Sequence, residues 1–314
     1  MQKNKKVGVG IAAIISATVL WGFDGVVLTP RLYNLPVSFV VMVLNILPFL
    51  LMHFFLFGQY RNLKKFSKTD LAAILLVALL GGTIGTLSIV KALFLINFKN
   101  LSAVVLLQKL QPVFAISLAT VFLKERLQKD FFIWAILAVV GGYFLTFQWS
   151  LPNFSTGENT AEAALLAVTA AFCFGSTTVL GRKFLIKQSF ETITFFRYGL
   201  TSLILIVYNL AIGEFFHFSE MTLLNWQIVF VIVFTTGSGA IFLYYFGLQR
   251  VRASVSTIAE LCFPLSAVFF DYIFNNSTLS PIQWVSAAVM LLAIFKLGMR
   301  ETTKKNPEEK VPSG

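Results

Sequence analysis

Residues 102–122 read SAVVLLQKLQPVFAISLATVF, and residues 254–274 read SVSTIAELCFPLSAVFFDYIF. Each is an apolar run of about 20 residues, the length an α-helix needs to cross about 30 Å of hydrocarbon, and neither alternates in polarity as a barrel strand does. Laid over each other at a shift of 152, they match Ser102 to Ser254, Gln108 to Glu260 and Pro112 to Pro264. These two stretches read as membrane-spanning helices and as copies of one another.

Working outward, eight more apolar segments flank them, giving ten spans at 7–29, 35–57, 71–97, 101–122, 131–149, 162–186, 190–212, 225–248, 254–274 and 281–299. The composition agrees, with 57% hydrophobic and 12% charged residues against the quarter that is usual for charged residues in soluble chains. A water-soluble catalytic domain is excluded. The flanking helices extend the repeat: KALFLINFKNLS resembles YYFGLQRVRASV, and Trp134 meets Trp284 at a shift of 150. A five-helix unit at 7–149 is thus followed by a second at 162–299. Because five is odd, the two units run in opposite directions across the membrane. Inverted repeats with broken helices near the midplane are a recurrent architecture for alternating access, with the substrate site where the repeats meet.

Orientation follows from the cations, which are retained on the cytoplasmic side near helix ends. With the N-terminus inside, 19 Lys and Arg residues face the cytoplasm, and two, Arg31 and Lys99, fall in outer loops. Both termini are then cytoplasmic. The net charge of +11 reflects topology and anionic leaflet lipid, and no nucleic-acid partner is needed. The basic N-terminus could be taken for a secretory signal, but its apolar run is longer than such signals use, so it is read as the first span. The tail at 300–314 is polar and expected to be disordered. The expected location is the cytoplasmic (inner) membrane, and the oligomeric state stays open.

Three motifs in order resemble the EamA family of the drug/metabolite transporter superfamily. LQPVFAISLATVFLKERL at Leu110–Leu127 is similar to that family's proline-containing fourth helix and its Gly-Glu-Arg-Leu-type turn, with Lys124 in place of the glycine. LWGFDGVVLTPRL at Leu20–Leu32 carries a Trp-Gly step late in the first helix, and GRKFLIKQSFETITFFRYGL at Gly181–Leu200 leads into a helix bearing Arg197. FNNSTLS at Phe274–Ser280 lacks the acid of the family turn, and Met42 stands opposite Arg197 in the first repeat. The resemblance implies transport of a small molecule, without saying which.

A charge near the bilayer centre costs about 2.5–3.5 kcal/mol on insertion scales, so buried ionisable groups mark candidate sites. Lys109 lies three residues before Pro112, between Gln108 and Gln111. Glu260 lies four before Pro264, and Pro112 and Pro264 are the expected kinks. In one reading Lys109 binds an anionic group while Glu260 binds an amine or takes the coupling proton; in the other the two form a structural ion pair. Asp24 is a gate and a second proton-coupling candidate. Trp21, Tyr244 and Tyr245 are candidate cavity walls. Lys91 and Arg197 are open between functional and interfacial roles, and Asp271 and Lys296 read as interfacial. Gly81, Gly82, Gly85, Gly237 and Gly239 read as helix-crossing sites.

Cys173 and Cys262 form no disulfide framework, and His53 and His217 have no partners at ligand spacing, so no metal is expected. No GxxxxGK[ST] loop is present, so no nucleotide or other cofactor is expected and a gradient must drive transport. The reading is a secondary transporter of a small polar or charged metabolite, amino-acid-like or an organic anion. The alternatives are an integral membrane enzyme, disfavoured by sparse histidines and short outer loops, or a non-transporting membrane sensor, which activity surviving substitution of the mid-membrane charges would favour.

Overall fold

The computed structural model describes residues 2–95, 104, 107–151, 160–274 and 278–303. Lys99, Ser102, Asn275, Asn276 and the tail from Lys304 onward lie outside the described residues. Among the described residues every regular element is helical.

Among the described residues, nine helices are long and apolar enough to span a bilayer. They are α1 (Lys6–Leu32), α2 (Val37–Lys65), α3 (Lys68–Leu95), α5 (Lys129–Phe147), α6 (Ala161–Leu185), α7 (Phe190–Ile212), α8 (Leu223–Leu248), α9 (Ala253–Phe274) and α10 (Pro281–Arg300). The shorter apolar helix α4, Gln111–Phe122, falls within the fourth segment.

Local chemistry sets the helix starts. Ser67 caps α3 with a capping box: its Oγ accepts from the Asp70 amide at 3.2 Å while the Ser67 amide donates to Asp70 Oδ2 at 3.0 Å. Thr222 and Asn225 repeat the device at α8, and Ser189 caps α7. Such caps satisfy donors that the bilayer edge leaves open. Gly213 ends α7 with φ of +80°, a conformation that favours glycine.

The helices are not uniform. Inside α3, Val77–Gly85 forms a π-helix, and inside α8, Val233–Gly237 does the same. A third π turn, Asp24–Leu28, lies in α1. The hydropathy pattern carries no sign of these turns, because one extra residue per turn leaves the apolar run unbroken.

Packing pairs α5 with α10, α2 with α7, and α4 with the start of α9. The first span α1 lies against α8 and α9, while α6 lies against α3 and α4. Glycines permit the closest crossings. A Cβ on Gly82 would stand 2.0 Å from Thr201 Oγ1, and one on Gly22 would stand 2.0 Å from Ser266 Oγ. Polar bridges fasten other crossings, with Gln283 Nε2 donating to Leu145 O at 3.0 Å and Asn209 Nδ2 to Ser38 O at 3.3 Å. Large apolar side chains such as Phe54, Phe55 and Val121 are exposed on the outer surface of the bundle, as lipid-facing positions require.

Between α7 and α8, His217 contacts Glu220 at 2.7 Å and Glu214 at 2.5 Å. The hydrogen bond to Glu220, followed by that to Glu214, raises its pKa above the ordinary histidine value. A raised folded value means this contribution is fully present below about pH 6.5 and is lost as pH rises through the folded value. An NMR titration of His217 is expected to show a midpoint above that of a free histidine, and Glu220→Gln is expected to lower it.

Candidate functional site

Proline lacks an amide hydrogen, so Pro264 cannot donate to the carbonyl four residues back, and that carbonyl belongs to Glu260. The carbonyl instead accepts from the Phe263 amide at 2.9 Å, and Leu261 donates to Ile258 O at 3.1 Å. Helix α9 therefore breaks at Glu260–Leu261 between Ala253–Ala259 and Cys262–Phe274. The other proline helix behaves alike: Leu110 donates to Leu107 O at 3.1 Å, just before α4 begins at Gln111.

At the α9 break, Glu260 Oε2 accepts from Gln111 Nε2 at 2.6 Å. Its Oε1 accepts from the Tyr244 hydroxyl at 3.0 Å and the Ser256 hydroxyl at 3.2 Å. Tyr244 also contacts Thr178 Oγ1 at 2.8 Å, and the Trp21 ring lies 5.5 Å from the Tyr244 ring. Five spans, α1, α4, α6, α8 and α9, thus meet at one carboxylate. No cation among the described residues lies within ion-pair distance of it.

Accessibility separates the back of this cluster from its front. Tyr244, Thr178 and Ser256 are buried. Within Ala253–Cys262, Glu260 alone retains accessible surface, and Gln111 and Trp21 are likewise half-buried. Glu260, Gln111 and Trp21 thus form the partly accessible front of the cluster, which presents a carboxylate, an amide and an indole.

Several expected members lie elsewhere. Lys109 does not face Glu260: its Nζ donates to Gly142 O and Thr146 Oγ1 on α5 and lies 5.8 Å from the centre of the Phe147 ring. The break before Gln111 separates the two residues, and while Gln111 turns to Glu260, Lys109 turns to α5. The ion pair considered from the sequence is absent among the described residues. Lys109 instead borders a separate cavity of about 370 Å³ with Val139, Val140, Tyr143 and Phe144. Tyr245 does not form a wall either; it is buried behind Tyr244, ring to ring at 5.4 Å. Gln108 is half-buried just before the α4 break. Asp24 sits in the π turn of α1, where Thr29 Oγ1 donates to its Oδ1 at 3.0 Å. Arg197 is buried over the Tyr198 ring at 5.4 Å, and its Nε finds no acceptor. Lys91 pairs with Glu162 at 2.8 Å.

Three contributors were not singled out from the sequence. Ser256 could have been found, since it stands one turn before Glu260. Thr178 carries no such signal. The third is Glu125, whose carboxylate crosses from the end of α4 to the start of α9. It accepts from the Ala253 amide at 2.8 Å, the Ser254 amide at 3.2 Å and the Ser254 hydroxyl at 2.5 Å. The turn before it is made by Lys124 at φ of +52°, where glycine is favoured. Lys124→Gly is therefore expected to raise stability by up to about 1 kcal/mol, read by thermal unfolding in detergent.

A multi-pass helical bundle whose broken helices bring polar side chains together has the architecture of a membrane transporter. The EamA-like transporter family model matches the chain twice, over residues 8–147 and 161–299, and the chain belongs to that family. It is 50% identical over 290 residues to the riboflavin transporter ImpX of Fusobacterium nucleatum subsp. nucleatum, covering 92% of this chain and 97% of that protein. It is 25% identical to an uncharacterized transporter of Synechocystis sp., over 74% of this chain and 67% of that one. A crystal structure at 13% identity superposes with a TM-score of 0.68 over 93% of this chain and 98% of the other, which shows likeness of fold alone.

Proposed function

We propose that this protein is a secondary carrier of riboflavin or a closely similar flavin, working by alternating access in the cytoplasmic membrane. The observation that carries the reading is the partly accessible cluster at Glu260, which we read as a substrate recess, where an uncompensated carboxylate, an amide and an indole meet between the two halves of the chain. A flat, neutral, polar ring suits those groups. An organic anion does not, because Lys109 is turned to α5 and the Glu260 carboxylate would repel it. The relative's riboflavin transport, at half identity over nearly the full length, supports the same substrate.

The halves are read as inverted five-helix units. Exchanging each span with the one five later preserves the largest helix pairings: α1 on α8 becomes α6 on α3, α1 on α9 becomes α6 on α4, and the α2–α7, α4–α9 and α5–α10 pairs map onto themselves. The π turns of α3 and α8 and the breaks before Pro112 and Pro264 obey the same exchange. In this reading both termini are cytoplasmic and the Glu125 clasp closes the cytoplasmic side. Glu260 is the first candidate for the coupling proton and Asp24 the second.

The test is riboflavin uptake and counterflow in liposomes holding the purified protein, with and without a pH gradient. Saturable counterflow is expected, and its absence for riboflavin overturns the reading. A cysteine at Lys65 should react with an impermeant reagent only from the cytoplasmic side, and labelling from outside overturns the orientation.

A further inference from the structure

We infer that Glu260 and Gln111 together read the cyclic imide edge of a flat substrate ring, with Trp21 covering the ring beside them. The inference rests on the transport reading above and adds which substrate atoms the recess recognises. An imide edge presents a carbonyl, an N–H and a second carbonyl in a row. The cluster offers partners for two adjacent members of that row, a carboxylate acceptor and an amide donor whose Oε2 and Nε2 atoms stand 2.6 Å apart.

Both groups keep spare capacity after bonding each other. Gln111 Nε2 has two hydrogens, and each carboxylate oxygen has about two lone-pair directions. The imide N–H donates to Glu260, and the second Gln111 hydrogen goes to the neighbouring imide carbonyl. Tyr244 and Ser256 hold the other carboxylate oxygen at 3.0 and 3.2 Å, so the acceptor is fixed before the substrate arrives. A preset charged acceptor makes a strong and selective hydrogen bond to an N–H. Glu260 and Gln111 come from different halves of the chain, so a ring bound to both would tie the α4 and α9 breaks together. Trp21, 5.5 Å from Tyr244, supplies a flat apolar face next to the same edge.

The experiment compares riboflavin with 3-methylriboflavin, in which a methyl group replaces the imide hydrogen and the ring and ribityl chain are kept. Binding is followed by quenching of flavin fluorescence on the purified protein, and transport by uptake into liposomes. The wild-type protein is expected to bind the methyl compound about tenfold to hundredfold more weakly, the range for losing one hydrogen bond to a charged group. In Glu260→Leu the two ligands should bind within about twofold of each other, because the discriminating acceptor is gone. Gln111→Leu provides a second variant should Glu260→Leu fail to insert, and it should weaken riboflavin more than it weakens 3-methylriboflavin. Equal binding of both ligands by wild-type protein that still transports riboflavin overturns this inference alone. Discrimination that survives unchanged in both variants also overturns it. If the wild-type protein neither binds nor transports riboflavin, the transport reading falls as well.

Discussion

Glu260→Gln is expected to lower gradient-driven flavin uptake by about tenfold or more while the protein inserts and purifies normally. The magnitude follows from hydrogen bonds to a charged group, worth about 1.5–3 kcal/mol each, which a neutral amide reproduces only in part. Glutamine keeps the size and one acceptor oxygen, so Tyr244 and Ser256 retain a partner and the α9 break keeps its shape. What glutamine cannot do is gain or lose a proton. If Glu260 carries the coupling proton, the variant should lose the pH dependence of uptake yet still exchange labelled for unlabelled flavin across liposomes without a gradient. An unchanged pH profile removes Glu260 from coupling and moves that role to Asp24. Loss of exchange together with uptake would instead place the whole effect on substrate binding.

The second large effect is expected at Glu125. Its carboxylate takes two backbone amides and a hydroxyl at the start of α9, at 2.8, 3.2 and 2.5 Å, from the far side of the α4–α9 crossing. It therefore caps a helix that has no side-chain cap of its own, since Arg252 occupies the preceding position. Glu125→Ala leaves these donors open and unfastens the two halves at one end. A loss of about 1.5–3 kcal/mol of stability is expected, read as a lowered midpoint of thermal unfolding in detergent. If the clasp also holds the cytoplasmic side shut, a cysteine placed at Thr257 should react faster with a thiol reagent in the variant. An unchanged labelling rate with lowered stability would make Glu125 a cap only. The corresponding turn in the sequence, Phe274–Ser280, contains no acid.

Much of this molecule can be read from its residues without coordinates. The apolar runs imply helices in a membrane because a chain in hydrocarbon must satisfy its own backbone, and a helix does so within a single segment. Pro112 and Pro264 imply breaks because each removes a known donor, and the breaks lie where the orphaned carbonyls are. Glu260, Gln111, Tyr244 and Trp21 stand out as polar or amphipathic groups at membrane depth, and they meet in the fold. Where the reading stopped, the missing information was direction. Lys109 and Gln111 are both strongly polar and two residues apart, so hydropathy ranks them alike, yet the break between them sends one to α5 and the other to Glu260. Tyr244 and Tyr245 are neighbours on α8, and only the first reaches the recess. Thr178 and Glu125 matter through partners 66 and 128–129 residues away in the chain, and no local pattern records such a separation. The sequence by itself determined the membrane, the helices and the broken positions, because each follows from the chemistry of short stretches. Only the tertiary structure decided which side chains face one another, because that depends on how the broken, π-turned helices are rotated when glycine-lined crossings bring them together.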